Sequence, residues 1–379
     1  MHFLGFASMA KKIRVMVVDD SAVMRRLLSA AIQSEPILEL AGTAYHGGLA
    51  LPLLQKLAPD IVTLDIEMPF MNGLETLKAI RATRPGLPVV MCSSVTVKGA
   101  EATVECLSLG ASDYVTKPER VSNADDAVRE LKRTLIPKLI ALCSASPLSP
   151  VLQARTTPNK ANDPPVTLNR SPVKIVAIGC STGGPKALSE ILPSIPADFS
   201  VPILVVQHMP SMFTGALAER LNDTCQLPAR EALDGVELLP GSIWIARGDY
   251  HMEVLKPGSK VRLSTPRSAP ENFCRPSVDV LFRSLAKVYA SHVLAVVLTG
   301  MGQDGLRGCI QLSEAGAQIV VQDEDTSVVW GMPGFVARAG LAQAVLPLPQ
   351  IGTEIVRRVQ TSRALSAQTP LRSASPQWE

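Results

Sequence analysis

No stretch of this 379-residue chain carries five consecutive charges of one sign, and the formal net charge is only +3. That argues against the basic patch or arm by which proteins grip nucleic acid. No apolar run approaches the roughly twenty residues that span a bilayer, so no membrane insertion is expected. The seven cysteines are scattered, odd in number and include no C-x-x-C pair. Neither a disulfide framework nor a zinc site fits that pattern; free thiols in a reducing cytoplasm do. There is no internal repeat. The opening "MHFLGFASMA" lacks a basic residue ahead of its apolar part and is too short for a secretory signal. Met9, directly before "AKKIRV", is a candidate start of translation beside Met1, and the sequence leaves the two open.

What is present is the balance of a globular chain, 46% apolar and 19% charged, long enough for more than one core. Residues 11–135 alternate strand and helix signals. "IRVMVVDD" and "DIVTLDIEM" are apolar runs ending in carboxylates, "PVVMCSS" ends in hydroxyls and "DYVTKP" in lysine; "AVMRRLLSAAIQ", "GLETLKAI" and "AEATVECLSLGA" have helical spacing. Such alternation predicts a doubly wound parallel sheet covered on both faces, with ligands at the carboxyl ends of the strands. Residues 136–172, rich in Ser, Pro, Asn and Thr from Ser144 onward, are expected to form a flexible linker. A second, larger three-layer α/β/α domain is expected over 173–360, and a disordered tail over 361–379.

In the first domain, Asp19 and Asp20 end one strand and Asp65 another. Carboxylates gathered at one sheet edge repel each other unless a proton or a divalent cation intervenes, and an all-oxygen set suits Mg²⁺. Asp65 then becomes a candidate nucleophile toward phosphorus. Ser93 and Lys117, at the ends of later strands, are candidate ligands for phosphoryl oxygens, and a cis bond before Pro118 would aim the lysine inward. The set D-D, D-x-x-M-P, S-S and K-P resembles the receiver domain of bacterial response regulators, over about Ile13 to Pro118, with "LSLGASDY" fitting as well. The resemblance implies a flavodoxin-like fold and phosphorylation of Asp65. It further implies Mg²⁺ held by Asp20, Asp65 and the backbone carbonyl of Glu67, with Asp19 nearby.

In the second domain, "VKIVAIGCSTGGPKALSEIL" reads as strand, turn and helix, placing the Ser181 hydroxyl beside helix N-terminal amides. "GCSTG" satisfies the G-x-S-x-G pattern of a nucleophile elbow. A phosphate loop would also use glycines here, but both the dinucleotide fingerprint and the P-loop lysine are missing. A serine nucleophile needs a base. Of the five histidines, His2 lies in the leader, His46 in the first domain and His292 at a strand start. That leaves His208, which ends "VPILVVQHMP", and His251 in "GDYHMEV"; strand-end position favours His208. For the carboxylate that fixes the imidazole, Asp304 in "LTGMGQDG" has the same strand-end position, and Asp279 in "RPSVDVLF" is the competitor.

Together "IGCSTGGPKAL", "VVQHMP", "REALDGVELLPGSIWIARGDYHM", "RPSVDVLF", "LTGMGQDG" and "VVWGMPG" resemble the catalytic domain of the chemotaxis protein-glutamate methylesterases, the CheB family, over about Lys174 to Val359. Arg247, where a proline is expected, is a small departure. The resemblance implies a triad of Ser181, His208 and Asp304, an oxyanion-hole amide from Met301, and support from Thr182. It implies no cofactor in the esterase site. The implied substrates are glutamyl methyl esters and certain glutamines of methyl-accepting chemotaxis receptors, and the implied phosphodonor is a chemotaxis histidine kinase. The unphosphorylated receiver is then expected to cover the triad edge.

Overall fold

A computed structural model of the chain describes residues 11–118, 123–144 and 171–367. They fall into two compact units that divide within residues 145–170. The leader, most of the expected linker and the end of the expected tail lie outside the described residues.

The first unit runs β1 (Ile13–Val18), α1 (Ala22–Gln33), β2 (Leu38–Ala44), α2 (Gly47–Leu57), β3 (Ile61–Asp65), α3 (Gly73–Thr83), β4 (Val89–Ser93), α4 (Val97–Ser108), β5 (Asp113–Thr116), α5 (Ala124–Thr134) and α6 (Ile136–Cys143). Its strands pair in parallel in the order β2-β1-β3-β4-β5, the flavodoxin-like arrangement. Side-chain caps start the helices: Ser21 accepts from the Met24 amide, and Asn72 forms a reciprocal capping box with Glu75. The strand order reverses between β1 and β3, which opens a crevice at their carboxyl ends. That crevice receives the acidic residues.

The linker was expected from residue 136. Instead Ile136–Cys143 is helical, and Ile136 and Leu139 are buried in one core with Val15, Leu28, Val90 and Leu131. Pro137 has the sequence look of a helix breaker. It sits in the first turn of α6, where an N–H would have no partner anyway.

The second unit runs β6 (Ile175–Cys180), α7 (Gly184–Ile191), β7 (Ile203–Gln207), α8 (Ser211–Thr224), β8 (Ala229–Glu231), β9 (Ile243–Ile245), β10 (Glu253–Leu255), β11 (Arg262–Ser264), α9 (Val278–Tyr289), β12 (Val293–Val297), α10 (Leu306–Glu314), β13 (Gln318–Gln322), α11 (Met332–Arg338), β14 (Ala344–Leu346) and α12 (Leu348–Ala367). Seven strands form a parallel sheet in the order β14-β13-β12-β6-β7-β9-β8, and β10 and β11 make a separate antiparallel pair. The central strands are buried throughout, as a sheet covered on both faces requires. Ile175, Ala177 and Leu204 pack on one face against Val278, Phe282, Cys309 and Met332 of α9, α10 and α11. The helix α7 packs with α8 and with α12 elsewhere in the unit. Here the order reverses at β6, whose neighbours are β7 and β12. The tail was expected from residue 361, but α12 continues to Ala367; "RAL" within it is good helix former.

Because Leu139 is fully buried, Leu139→Ala should destabilise the first unit by about 2–5 kcal/mol. Urea unfolding of the full chain, followed by a probe in that unit, measures the shift; a change too small to detect would return α6 to the linker.

Candidate active site and receiver crevice

The last paired residues of β6 and β7 are Cys180 and Gln207. One residue further, the His208 amide donates to the Cys180 carbonyl at 3.2 Å, and the Ser181 amide donates across to Thr299 O, just past β12, at 3.0 Å. Neighbouring strands lie about 4.8 Å apart, so Ser181 stands between the His208 backbone and the loop that carries Asp304. Gln207 ties the edge together: its Nε2 donates to the carbonyls of Ser181 (3.0 Å) and His208 (3.2 Å). Thr299 does the same from the other side, donating through Oγ1 to Thr182 O at 2.9 Å. Gly183, with φ of 79°, makes the left-handed turn that starts α7.

His208 and Asp304 meet directly, with Nε2 and Oδ2 2.7 Å apart. The Asp304 carboxylate is buried but surrounded by donors. Oδ2 also accepts from the Val278 amide (2.7 Å). Oδ1 accepts from Ser277 Oγ (2.8 Å), Asn272 Nδ2 (2.8 Å) and the amides of Asp279 and Gly305 (3.1 Å each). Ser277, Val278 and Asp279 are the N-terminus of α9, so the positive end of that helix faces the anion. Burial alone would raise the Asp304 pKa; the His208 contact and these donors outweigh it and hold the carboxyl below its ordinary range. The imidazole moves the other way. Burial would lower its pKa, but its bonds to Asp304 and to Cys274 raise it above the ordinary histidine value of 6.5.

With Nε2 committed to a carboxylate, His208 is left with Nδ1 as its free base nitrogen. Ser181 Oγ forms no hydrogen bond among the described residues, and Nδ1 instead contacts Cys274 Sγ at 3.5 Å. The structure therefore joins two of the three predicted residues through side chains and sets the third beside them through the backbone. Sequence reasoning missed Gln207, Asn272, Cys274, Ser277 and Thr299. A serine directly ahead of an apolar helical run, as in "RPSVDVLF", signals an N-cap, and that signal was available for Ser277.

Thr182 is buried, and Met301 is exposed. The Met301 amide donates to no acceptor among the described residues, and its neighbour Gly300 packs on Ser181. The competing residues have other work. His251 is buried with both nitrogens bonded, to Ala269 O (3.0 Å) and to the Ser277 amide (3.2 Å). Asp279 accepts from Asn272 Nδ2 (2.9 Å) and the Gly308 amide (2.7 Å), and His292 Nδ1 bonds Pro172 O at 2.8 Å.

In the first unit, carboxylate oxygens of Asp19, Asp20 and Asp65 lie within 4.8 Å of one another. Lys117 Nζ is 3.0 Å from Asp19 Oδ2 and 2.8 Å from Asp65 Oδ1. Asp65 Oδ2 is buried with no hydrogen-bond partner. Burial, reinforced by Asp19 and only partly opposed by Lys117, pushes Asp65 up to about 6, and Asp19 is raised as well. An excess of buried negative charge with an orphaned oxygen is what a divalent cation would neutralise, so these residues fit Mg²⁺. Glu67 is exposed and lines the same cleft as Asp20. The Ser93 hydroxyl is bonded toward α4, to Thr103 Oγ1 (2.8 Å) and Gly99 O (3.1 Å), and not to the carboxylates. The bond before Pro118 is trans: Arg275–Pro276 is the one cis peptide among the described residues. No cis bond is needed to aim Lys117, because its amide continues the β4–β5 ladder to Ser93 O at 2.8 Å and Nζ already reaches both carboxylates.

A family model described as CheB methylesterase matches residues 176–355, and one described as response regulator receiver domain matches residues 15–129. A Trichodesmium erythraeum protein named protein-glutamate methylesterase/protein-glutamine glutaminase is 46% identical over 349 residues, covering 92% of this chain and 99% of its own. A Nocardioides protein of the same name is 45% identical, covering 93% and 96%. The crystal structure of the Thermotoga maritima CheB methylesterase catalytic domain is 43% identical, covers 49% of this chain and 98% of its own, and has a TM-score of 0.48. Fold and site thus define an α/β ester hydrolase that carries a response-regulator receiver. More particularly, the chain belongs to the CheB methylesterase family.

A methyl group on Gly300 would stand 2.9 Å from Ser181 Cβ and 2.4 Å from Met332 Sδ. Gly300→Ala should therefore displace Ser181, and a shift of that kind can slow reaction by about 10²-fold. The rate of Ser181 labelling by an organophosphonate measures it; unchanged labelling would mean that the loop yields without moving the serine.

Proposed function

We propose that this protein hydrolyses the γ-methyl esters of glutamate side chains on methyl-accepting chemotaxis receptors, and deamidates specific receptor glutamines, through an acyl-enzyme on Ser181. The observation that carries the reading is the 2.7 Å contact of His208 Nε2 with Asp304, at a strand end adjoining Ser181. Asp304 fixes the tautomer, so Nδ1 takes the Ser181 proton as Oγ turns toward it and attacks the ester carbonyl. The Met301 amide, with Thr182 shaping the turn, would receive the developing oxyanion, each well-placed donor contributing about 3–4 kcal/mol. The proton on His208 leaves with methanol, or with ammonia from a glutamine, and water then releases the carboxylate. The restored charge changes the repulsion between receptor helices.

Asp65 is the proposed phosphoryl acceptor from a chemotaxis histidine kinase, with Ser93 and Lys117 as ligands of the phosphoryl oxygens. Asp20, Asp65 and the backbone carbonyl of Glu67 would hold Mg²⁺, with Asp19 alongside; when bound, the ion neutralises charge on the phosphoryl group. The proposed domains are a receiver over 11–135, a connection over 136–172 whose first helix belongs to the receiver, an esterase over 173–360 and a tail beyond. Phosphorylation is proposed to relieve a restraint that the receiver imposes through that connection. The seven unpaired cysteines suit the reducing cytoplasm, and no helix among the described residues is long and apolar enough to cross a membrane.

Ser181→Ala should abolish methanol release from methylated receptors while leaving Asp65 phosphorylation intact. Asp304→Asn should cost up to about 10⁴ in turnover. Since the active base is unprotonated and its pKa is raised, activity should fall on acidification with a midpoint above 6.5, and Asp304→Asn should move that midpoint down. Near-normal turnover by Asp304→Asn would transfer the role to Asp279. For the control mechanism, a fragment beginning near Pro172 should hydrolyse ester faster than the unphosphorylated full chain, and a phosphodonor should close the gap. Equal rates would rule out the restraint.

A further inference from the structure

Cys274 is held against the catalytic imidazole by built structure. Asn272 and Phe273, with φ of 52° and 63°, form the two-residue tip of a tight turn. Its ends exchange both backbone hydrogen bonds, Glu271 N to Cys274 O at 3.0 Å and Cys274 N to Glu271 O at 2.8 Å. Glu271 is clamped by Arg283 of α9, with Nη2 2.6 Å from Oε2, and the Asn272 amide bridges Asp279 and Asp304. Left-handed backbone at two successive side-chain-bearing residues is disfavoured, and such strain persists where surrounding contacts enforce it. The result is that Cys274 Sγ is delivered to His208 Nδ1 at 3.5 Å.

It is one of three thiols of this chain that are not buried. Cys92, Cys106, Cys180 and Cys309 are buried, whereas Cys143, Cys225 and Cys274 are partly exposed. Burial pushes the Cys143 and Cys225 thiols up to about 12 and 11, and neither contacts a histidine. Cys274 alone combines partial exposure with a base at its sulfur, and a thiolate is the reactive form. It also stands at the nitrogen that Ser181 must reach.

We propose that Cys274 is a modification site at which a small disulfide reversibly closes the esterase, an inference that rests on His208 acting through Nδ1. The S–H proton passes to His208 Nδ1 and the Cys274 sulfur attacks one sulfur of R–S–S–R. The old S–S bond breaks as the new one to Cys274 forms, and the departing thiolate takes the proton from Nδ1. Cys274 is oxidised and half of the disulfide is reduced. The adduct then fills the space at Nδ1 that the Ser181 hydroxyl has to enter.

The test treats the reduced full chain with glutathione disulfide, maps adducts by mass spectrometry and follows methanol release before and after a reductant. The expected result is an adduct at Cys274, loss of turnover by about tenfold or more, and recovery on reduction. Cys274→Ser, compared with its own untreated rate, should be insensitive, and Cys143→Ser and Cys225→Ser should stay sensitive. His208→Gln should slow adduct formation at Cys274 by about tenfold, a readout that needs no esterase activity. Should the untreated protein release no methanol, the esterase reading falls, while the His208 dependence still decides whether the thiol is activated as argued. An adduct at Cys274 with undiminished turnover, adducts confined to other cysteines, or equal inactivation of Cys274→Ser would overturn the proposal.

Discussion

The polar edge of the second sheet depends on keeping one buried carboxylate charged. An isolated carboxyl in the position of Asp304 would hold its proton, because burial penalises the anion. Here the amides of Val278, Asp279 and Gly305, the Ser277 hydroxyl, the Asn272 amide and the imidazole all donate to it. Hydrogen bonds to a charged group contribute about 1.5–3 kcal/mol each, so this cage, with the His208 imidazole as its leading member, offsets desolvation. From that anion follow which His208 nitrogen is committed to a carboxylate and which is left to face other groups.

Both units use the same topological device with opposite electrostatics. Each sheet reverses strand order at a central strand, and each collects its polar residues in the crevice there. In the second unit a helix N-terminus satisfies a single acid. In the first, two of three clustered acids, Asp19 and Asp65, share one lysine, and Asp65 Oδ2 is left without a hydrogen-bond partner. A saturated carboxylate is a fixed support; an under-satisfied one is poised to take up a cation or an electrophile. The parallel scaffold is the constant, and the number of donors sets the chemistry.

Strand-end position favoured His208 over His251 and Asp304 over Asp279, and the structure brings that pair into contact, because parallel strands present their last residues to one edge whatever the loops do. The acidic crevice was legible for the same reason. Less local features were hidden. Nothing in the spacing places Cys274 at His208, since that contact depends on a turn with two left-handed residues and on an ion pair to α9. The linker expected from residue 136 begins instead as a helix, and Pro137 fits it because a first-turn residue needs no N–H partner. The helical start of the expected tail is hidden by the neighbouring serines, whose weak propensity is overcome by continuity with a packed helix. The trans bond before Pro118 escaped because the lysine's reach is set by the ladder behind it.

Ser181, His208 and Asp304 are drawn from β6, β7 and the loop after β12, and the last contact closes across 96 positions of sequence. Contacts that distant form late, since the intervening chain must first surrender its loop entropy. A ribosome-bound chain that has emerged only through α9 therefore carries Ser181 and His208 but not yet Asp304. This edge is therefore completed only with the last third of the second unit, and a half-made copy carries the hydroxyl and the imidazole without the carboxylate that the imidazole meets.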